Sequence, residues 1–243
     1  MRFDLFLVPG PVKENRLADR AVVIIDVLRA STTMCQALQA GARAILPFAE
    51  SGEAAEMRIK IGLESTLLCG ERNGLKIENF DLGNSPSEFT PERVRDKIII
   101  MTTSNGTRAY AGIDRSSLII TGALVNMSRV TRAVADSGRD VAIMCAGRLG
   151  QFSIEDTLCG GLLIHRLLTE TGRRADLNDA ASLALLLYRS NSRALKETIA
   201  QGEHGRYLRE LGFADDVALA AGVDTIPVLP VLKDKRIINN DVE

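Results

Sequence analysis

The sequence predicts an α/β protein with three layers, in which helices cover both faces of a mainly parallel or mixed sheet. Short, continuous runs rich in valine and isoleucine alternate with helical patterns, as they do in sheets that are buried on both faces. The alternation fades after about Thr171, where a helix-rich segment precedes a last apolar run. Because no linker-like stretch divides the chain, we predict one domain over residues 1–243 with a helical C-terminal elaboration.

Short apolar runs bounded by turn residues are predicted to be strands. They lie at residues 3–8, 22–26, 44–48, 66–69, 97–101, 118–121, 140–145 and 226–232. Helices are expected to begin near Thr32, Gly52, Pro86, Asn105, Asn126, Ser153, Leu177, Ser192 and Ala214. The helix from Ser153 has the clearest periodicity, with Leu158 and Leu162 on one face.

The composition excludes several classes of protein. A net charge of -1 and an aromatic content of 4% do not provide the cationic stripe and stacking platforms that nucleic-acid binding needs. No apolar run approaches the length of a membrane span. The four cysteines form no C-x-x-C pair, which argues against a zinc or redox motif and favours buried thiols. Without a secretory-signal pattern at its start, the chain is expected to be cytoplasmic.

Arginines follow the ends of several predicted strands. Arg29, Arg108 and Arg148 each lie in a short polar turn after an apolar run, and Arg72 lies in the turn of residues 70–74. Ligands of α/β proteins bind outside the carboxyl ends of parallel strands, so we expect these turns to meet. Guanidinium groups bind phosphate and sulfonate oxygens in bidentate fashion. The pattern predicts a pocket for a small, highly anionic molecule, although any single arginine could be structural.

Asp26 follows four apolar residues at the end of the second predicted strand. A carboxylate there is an unfavourable core residue and a suitable ligand for Mg²⁺, which prefers oxygen atoms. It could equally accept a phosphoryl group. The structural alternatives are that it caps the next helix or pairs with Arg29. We favour the functional role.

Other polar residues have both functional and structural interpretations. The turn of residues 102–107 places hydroxyls and backbone amides at a helix start, where anions bind, but the same residue types are ordinary helix caps. Ser153 and Asp156 fit a capping box, and a metal role for Glu155 or Asp156 is no better supported. The charged and glycine neighbours of His204 suit a loop or helix end, where an imidazole could transfer a proton.

Familiar catalytic motifs are absent from the sequence. It contains no G-x-x-x-x-G-K-[ST] loop, no G-x-G-x-x-G, no G-x-S-x-G elbow and no H-E-x-x-H. Nucleotide-dependent transfer, serine hydrolysis and zinc proteolysis therefore lose support.

Several short segments together resemble the 2-phosphosulfolactate phosphatase family. They read DVLRASTT at 26–33, GER at 70–72, FDLGNSP at 80–86, SNGTR at 104–108, CAGR at 145–148, FSIED at 152–156 and HGR at 204–206. The resemblance extends from about Val22 to Leu211, and the segments follow the family's order. Two positions depart from the family's pattern: Asn79 stands where glycine is expected, and Ser104 stands where threonine is common.

The resemblance implies a Mg²⁺-dependent phosphatase that converts 2-phospho-3-sulfolactate to 3-sulfolactate and phosphate, as in coenzyme M biosynthesis. The expected partner is a small anionic organophosphate, and the sequence leaves a homo-oligomer open. Catalytic roles are assigned to Asp26, Arg29, Arg148 and His204. Substrate contacts are assigned to Arg72, Ser104, Asn105, Gly106, Thr107, Arg108, Gly147 and Arg206, and metal contacts to Asp26, Glu71 and Asp81.

Two alternatives to this hypothesis remain open. A non-catalytic binding protein for a small phosphorylated organic acid would use the same arginines but would not need Asp26 or a metal. A broader small-phosphomonoesterase would fail to distinguish phosphosulfolactate from phospholactate and phosphoglycolate.

Overall fold

In the described part of the chain, eleven strands form a mixed sheet at the centre of the computed structural model. The structure describes residues 1–9, 17–110, 118–172 and 174–240, without the side chains of residues 108 and 109. The strands are β1 (Arg2–Phe6), β2 (Ala21–Ile25), β3 (Ala44–Phe48), β4 (Thr66–Arg72), β5 (Leu75–Lys76), β6 (Ile98–Thr102), β7 (Leu118–Gly122), β8 (Val141–Cys145), β9 (Asp176–Leu177), β10 (Pro230–Lys233) and β11 (Arg236–Asn239). The predicted α/β fold is confirmed.

Helices occupy most of the remaining described chain. They are α1 (Ala30–Gln39), α2 (Ser51–Ile61), α3 (Pro91–Val94), α4 (Met127–Ser137), α5 (Ile154–Thr171), α6 (Asp179–Asn191), α7 (Leu195–Gln201), α8 (Glu203–Glu210) and α9 (Ala214–Ala220). Shorter 3₁₀ turns lie at Pro86–Glu88, Gly106–Tyr110 and Leu124–Asn126. Among the described residues, no helix combines the length and apolar content needed to cross a lipid bilayer.

The central strands are buried on both faces, which explains their unbroken apolar sequences. Val23 and Ile25 of β2 pack with Leu158 and Leu162 of α5 in the largest core cluster. Alternate residues of the same strand, such as Ile24, belong to a separate cluster. Successive side chains of a strand point to opposite faces, so β2 needs apolar residues at every position.

Apart from the edge strand β5, which pairs antiparallel with β4, the sheet consists of two parallel groups joined by an antiparallel hairpin. Its order is β5-β4-β6-β3-β11-β10-β7-β2-β8-β1-β9. β4, β6 and β3 are mutually parallel, as are β7, β2, β8, β1 and β9. β10 and β11 lie between the groups and pair antiparallel with β7 and β3.

This topology corrects the expectation that the arginine-bearing turns follow strands of one parallel set. Three antiparallel pairings in succession separate β3 from β7. The strands of the group that contains β3 therefore point in the opposite direction to those of the group that contains β7. The turn after β6 therefore belongs to a different group from the turns after β2 and β8. The turns nevertheless meet, because the 3₁₀ segment Gly106–Tyr110 crosses to the second group, where the Tyr110 hydroxyl lies 2.6 Å from Thr121 Oγ1.

The predicted and observed elements differ mainly in short or proline-containing segments. The run at 226–232 forms a strand only from Pro230 onward. Pro227 and Pro230 lack the N–H group that a sheet ladder uses. The two-residue strands β5 and β9 and the strand β11 were not predicted, and neither were the helices α3 and α8. The four cysteines are free and buried, as expected.

Candidate active site

A cleft opens beside the turn that follows β2. Seven of the predicted site residues line it: Asp26, Arg29, Glu71, Ser104, Asn105, Arg148 and His204. These residues come from the ends of β2 and β4, the turns after β6 and β8, and the first turn of α8. The structure thus brings together residues that lie up to 178 positions apart in the sequence.

Asp26 is held by the first turn of α1. Its backbone N–H donates to Ser31 Oγ at 2.9 Å, and the Ala30 N–H donates to Asp26 Oδ1 at 3.2 Å. The other carboxylate oxygen, Oδ2, faces Gly106, where an added Cβ would lie only 2.5 Å away. Glycine at 106 therefore lets the turn after β6 approach the carboxylate.

The environment of Asp26 makes its carboxyl group harder to ionise than a carboxyl group in water. Burial raises the pKa of Asp26 to about 7. The nearby carboxylates of Glu71 and Glu155 add to the rise, whereas His204 and the Ala30 amide oppose it. A cation in the cleft would relieve this accumulation of negative charge.

His204 lies in the first turn of α8 and is oriented by a buried acid. Its Nδ1 atom lies 3.0 Å from Oε1 of Glu155, whose side chain is only 2% exposed. A carboxylate at this position fixes the imidazole ring and favours a proton on Nδ1, leaving Nε2 for proton exchange.

Asp156 joins the turns after β2 and β8. Oδ1 accepts from the Val27 N–H at 2.8 Å, and Oδ2 accepts from the Gly147 N–H at 3.0 Å. Ser153 makes no side-chain capping bond, so the predicted capping box is wrong. Burial raises the pKa of Asp156 well above its ordinary value, and the charges of Glu155 and Asp26 raise it further.

Glu71 connects the ends of β4 and β6. Its Oε1 accepts from the Ser104 N–H at 2.7 Å, and its Oε2 accepts from the Gly74 N–H at 2.8 Å and the Ser104 hydroxyl at 3.2 Å. Both carboxylate oxygens therefore have protein partners, and the side chain fixes the position of the turn that carries Ser104.

Arg29 forms a buried ion pair with Asp216 of α9. Nη1 donates to Asp216 Oδ2 at 2.6 Å, and the two side chains are 2% and 4% exposed. Nη2 donates to the Gly74 carbonyl at 2.6 Å, and the guanidinium carbon lies 4.1 Å from the centre of the Phe213 ring. The charge of Arg29 reaches the wall of the cleft, but its two terminal nitrogens are engaged with the protein.

Arg148 presents a second guanidinium to the cleft. Nη1 donates to Glu203 Oε1 at 2.6 Å, and the group stacks over the Tyr207 ring with its carbon 4.5 Å from the ring centre. Gly147 adopts φ 62°, and a Cβ there would lie 2.3 Å from the Gln151 carbonyl oxygen. Glycine is therefore required for the tight turn that presents Arg148.

The remaining predicted residues lie outside the lining of this cleft. Arg72 donates to the Glu71 carbonyl and to Thr102 Oγ1. Asp81 pairs with Arg58 at 2.9 Å and accepts from the Leu68 N–H, so its carboxylate is engaged in that pair.

Thr107 exchanges hydrogen bonds with Thr103 and thereby supports the turn of residues 103–107. Arg206 donates to the Gln201 carbonyl and lines an adjoining cavity of about 320 Å³. The side chain of Arg108 lies outside the described part of the structure.

Sequence reasoning did not assign Asn84, Tyr207 or Asp216 to the site. Asn84 and Tyr207 line the cleft, and Asp216 holds Arg29. Asn84 lies within the segment FDLGNSP that carries part of the resemblance, so that segment was an available signal. Asp216 carries no such signal, because an acid in the first turn of a helix is usually solvated.

The donor atoms of the cleft suit a hydrated Mg²⁺ ion better than a closed protein cage. Within the described ranges, no group of three or more His, Cys, Asp or Glu side chains is arranged to hold a metal. Mg²⁺ often binds one or two carboxylates and completes its shell with water and phosphate oxygens. Asp26 Oδ2 fits that mode, with Glu71 beside it at the same cleft.

Comparisons with known proteins agree with the motifs. The family model described as 2-phosphosulpholactate phosphatase matches residues 6–235. A protein of Synechococcus sp. is 39% identical over 236 residues, covering 95% of each chain. One of Caldanaerobacter subterraneus subsp. tengcongensis is 38% identical over 223 residues, covering 92% of each chain. One of Clostridium beijerinckii is 34% identical over 237 residues, covering 98% of this chain and 99% of its own.

All three relatives are named probable 2-phosphosulfolactate phosphatases. The family model covers nearly the whole chain, and these relatives match it over almost their full lengths. The chain belongs to the 2-phosphosulfolactate phosphatase family.

Proposed function

We propose that the protein is a Mg²⁺-dependent phosphomonoester hydrolase that converts 2-phospho-3-sulfolactate to 3-sulfolactate and phosphate. The observation that carries the proposal is one cleft, in a member of this family, that contains Asp26, two arginines and an acid-oriented histidine. The substrate bears a phosphate, a sulfonate and a carboxylate, so its recognition needs fixed positive charge. A role in coenzyme M biosynthesis is part of the same proposal.

The two arginines have different roles in the cleft. Arg148 keeps donors beyond its bond to Glu203 and binds substrate oxygens at the mouth of the cleft. Arg29 lines the wall of the cleft, where its buried ion pair with Asp216 fixes the guanidinium in place. Preorganised charge in a partly dry site stabilises the transferring phosphoryl group more than water would.

His204 serves as the proton donor for the leaving oxygen. Glu155 holds Nδ1, so Nε2 is the nitrogen that exchanges a proton with the substrate. Because Gly106 has no side chain, the turn after β6 approaches Asp26, and the amides of Asn105 and Gly106 hold phosphate oxygens.

Asp26 would hold Mg²⁺ through Oδ2, with Glu71 as the neighbouring acid. When bound, the ion neutralises charge on the phosphoryl group and orients it for displacement. Asp26 itself is kept in place by the Ala30 N–H and by its own backbone bond to Ser31.

The direct test is phosphate release from 2-phospho-3-sulfolactate, first with Mg²⁺ and then with excess chelator. We expect turnover that requires the metal and that falls sharply with phospholactate or phosphoglycolate. Equal rates with the three substrates would favour a broader phosphomonoesterase. Metal-independent binding without turnover would favour a binding protein and contradict the proposal.

A further inference from the structure

Asn84 is a buried polar residue of the cleft with an unsatisfied side chain. The residue is 4% exposed and lines the same cleft as Asp26. Its Oδ1 atom is buried and has no hydrogen-bond partner in the structure. A buried carbonyl oxygen without a partner costs about 1–3 kcal/mol, so such an atom in a binding cleft points to a missing ligand.

Hydrogen bonds fix the backbone around Asn84, and one of them comes from α1, the helix that also holds Asp26. The Thr33 hydroxyl donates to the backbone carbonyl oxygen of Asn84 at 2.9 Å. One turn earlier in α1, the Ala30 N–H donates to Asp26 Oδ1. On the other side, the neighbouring Ser85 hydroxyl donates to Asp216 Oδ1 at 2.7 Å. The backbone of Asn84 is thus fixed while its side-chain oxygen is left without a partner.

The chemistry of the cleft restricts what can satisfy this oxygen. Arg29 lines the same cleft, but its terminal nitrogens donate to Asp216 and to the Gly74 carbonyl and not to Asn84 Oδ1. The proposed substrate offers ionised phosphate, sulfonate and carboxylate oxygens, which accept hydrogen bonds and do not donate them. A hard divalent cation binds amide carbonyl oxygens and carboxylates together.

We propose that Asn84 is a ligand of the divalent cation, which its Oδ1 binds together with Asp26 Oδ2. The inference deepens the proposed function and rests on it, because it concerns the metal site of the same cleft. It adds a neutral oxygen donor to a site whose other candidate donors are carboxylates. Neither the sequence motifs nor the family match assigned this residue a role.

The test measures cation binding without substrate. Mg²⁺ is titrated into the full-length, metal-free protein by calorimetry at pH 8, and Mn²⁺ binding is followed by electron paramagnetic resonance. Asn84→Ala should weaken the affinity on the order of 10- to 100-fold. Asn84→Asp keeps an oxygen at the same place and adds a charge, so it should bind Mg²⁺ as tightly as the unmodified protein or more tightly.

Two controls separate the possible results. Asn240→Asp adds the same charge at an exposed residue that pairs with Lys233, and it should leave the affinity unchanged. Circular dichroism verifies that both Asn84 variants are folded.

Three other results would contradict the role of Asn84, the proposed metal dependence, or both. If the unmodified protein binds the cation and both Asn84 variants bind it equally well, the role of Asn84 is wrong but the proposed metal dependence stands. If Asn84→Ala keeps the full affinity for Mg²⁺ but loses affinity for inorganic phosphate, Asn84 is a donor to the anion and the inference is overturned. If the unmodified protein does not bind Mg²⁺ or Mn²⁺, both this inference and the proposed metal dependence fail.

Discussion

The buried pair of Arg29 and Asp216 should be a major determinant of stability, and Asp216→Ala tests this. The side chains are 2% and 4% exposed and lie 2.6 Å apart. Removing one partner of such a pair leaves an uncompensated buried charge, which costs about 3–5 kcal/mol. The Ser85 hydroxyl also loses its acceptor, which adds about 1 kcal/mol.

The expected loss is therefore about 4–6 kcal/mol in the free energy of unfolding, close to the whole stability of many domains. For a chain of this size it corresponds to a fall in Tm of roughly 8–24 °C. The measurement is equilibrium unfolding in urea, followed by circular dichroism. Asp216→Asn, which keeps an acceptor for Ser85, should lose less.

The exposed pair of Arg132 and Asp136 provides a matched control. Its side chains are 80% and 75% exposed and lie 3.8 Å apart on one helix. Asp136→Ala should cost no more than ~0.5 kcal/mol, because exposed pairs contribute little. If Asp216→Ala also cost less than about 1 kcal/mol, the reasoning about the buried pair would be refuted.

Four further predictions concern the site and the pH dependence of folding. Asp26→Asn should abolish phosphate release while the circular dichroism spectrum stays unchanged, because it removes charge but little volume; near-normal turnover would make Asp26 structural. Gly106→Ala should lower kcat strongly, since its Cβ would lie 2.5 Å from Asp26 Oδ2, whereas Gly52→Ala, where a Cβ meets nothing within 4 Å, should keep full activity. Arg148→Lys should raise KM because a lysine cannot reproduce the guanidinium fork, and unchanged kinetics would remove this residue from substrate binding. Burial opposes ionisation of Asp4, but hydrogen bonds and charge from two arginines outweigh it and lower its pKa below 3.8. Asp4 therefore stabilises the fold above that pH and loses its contribution as the pH falls through the folded pKa. The destabilisation caused by Asp4→Asn in urea unfolding should shrink as the pH is lowered below about 4, and a constant difference would contradict this account.

The strands of the sheet were predictable because burial on both faces imposes a simple sequence pattern. β3 was predicted at its observed bounds, and β2, β7 and β8 within one residue. Their pairing order was not predictable, since it depends on which edges the hairpin of β10 and β11 joins. Two-residue strands such as β5 carry no periodicity at all.

The helix α8 was missed because Gly205 in HGR is typical of a loop. In the structure a Cβ at Gly205 would lie 2.1 Å from the Ile199 carbonyl oxygen. The close packing of α8 against α7 thus explains the glycine. The low helix propensity of glycine had instead indicated a loop at this position. This packing places His204 at the cleft, where its charged and glycine neighbours and the resemblance of the HGR segment had predicted a role for it.

The site was partly predictable because its charged residues follow apolar strands. Asp26, Arg29 and Arg148 were selected on that signal, and all three line the cleft. The hydrogen-bond and ion-pair partners of these side chains could not be predicted from the sequence. Asp216 is 187 residues from Arg29, and only the folded structure brings them into contact.

The hairpin of β10 and β11 has a consequence for how the chain is made. It supplies the strand pairing between the two parallel groups among the described strands, yet it occupies residues Pro230 to Asn239 near the end of the sequence. While the ribosome is still synthesising the C-terminal helices, β3 and β7 each have an unpaired edge. Such edges attract other chains, so a nascent polypeptide, or one truncated before Pro230, should be prone to aggregate until β10 and β11 are available to pair with them.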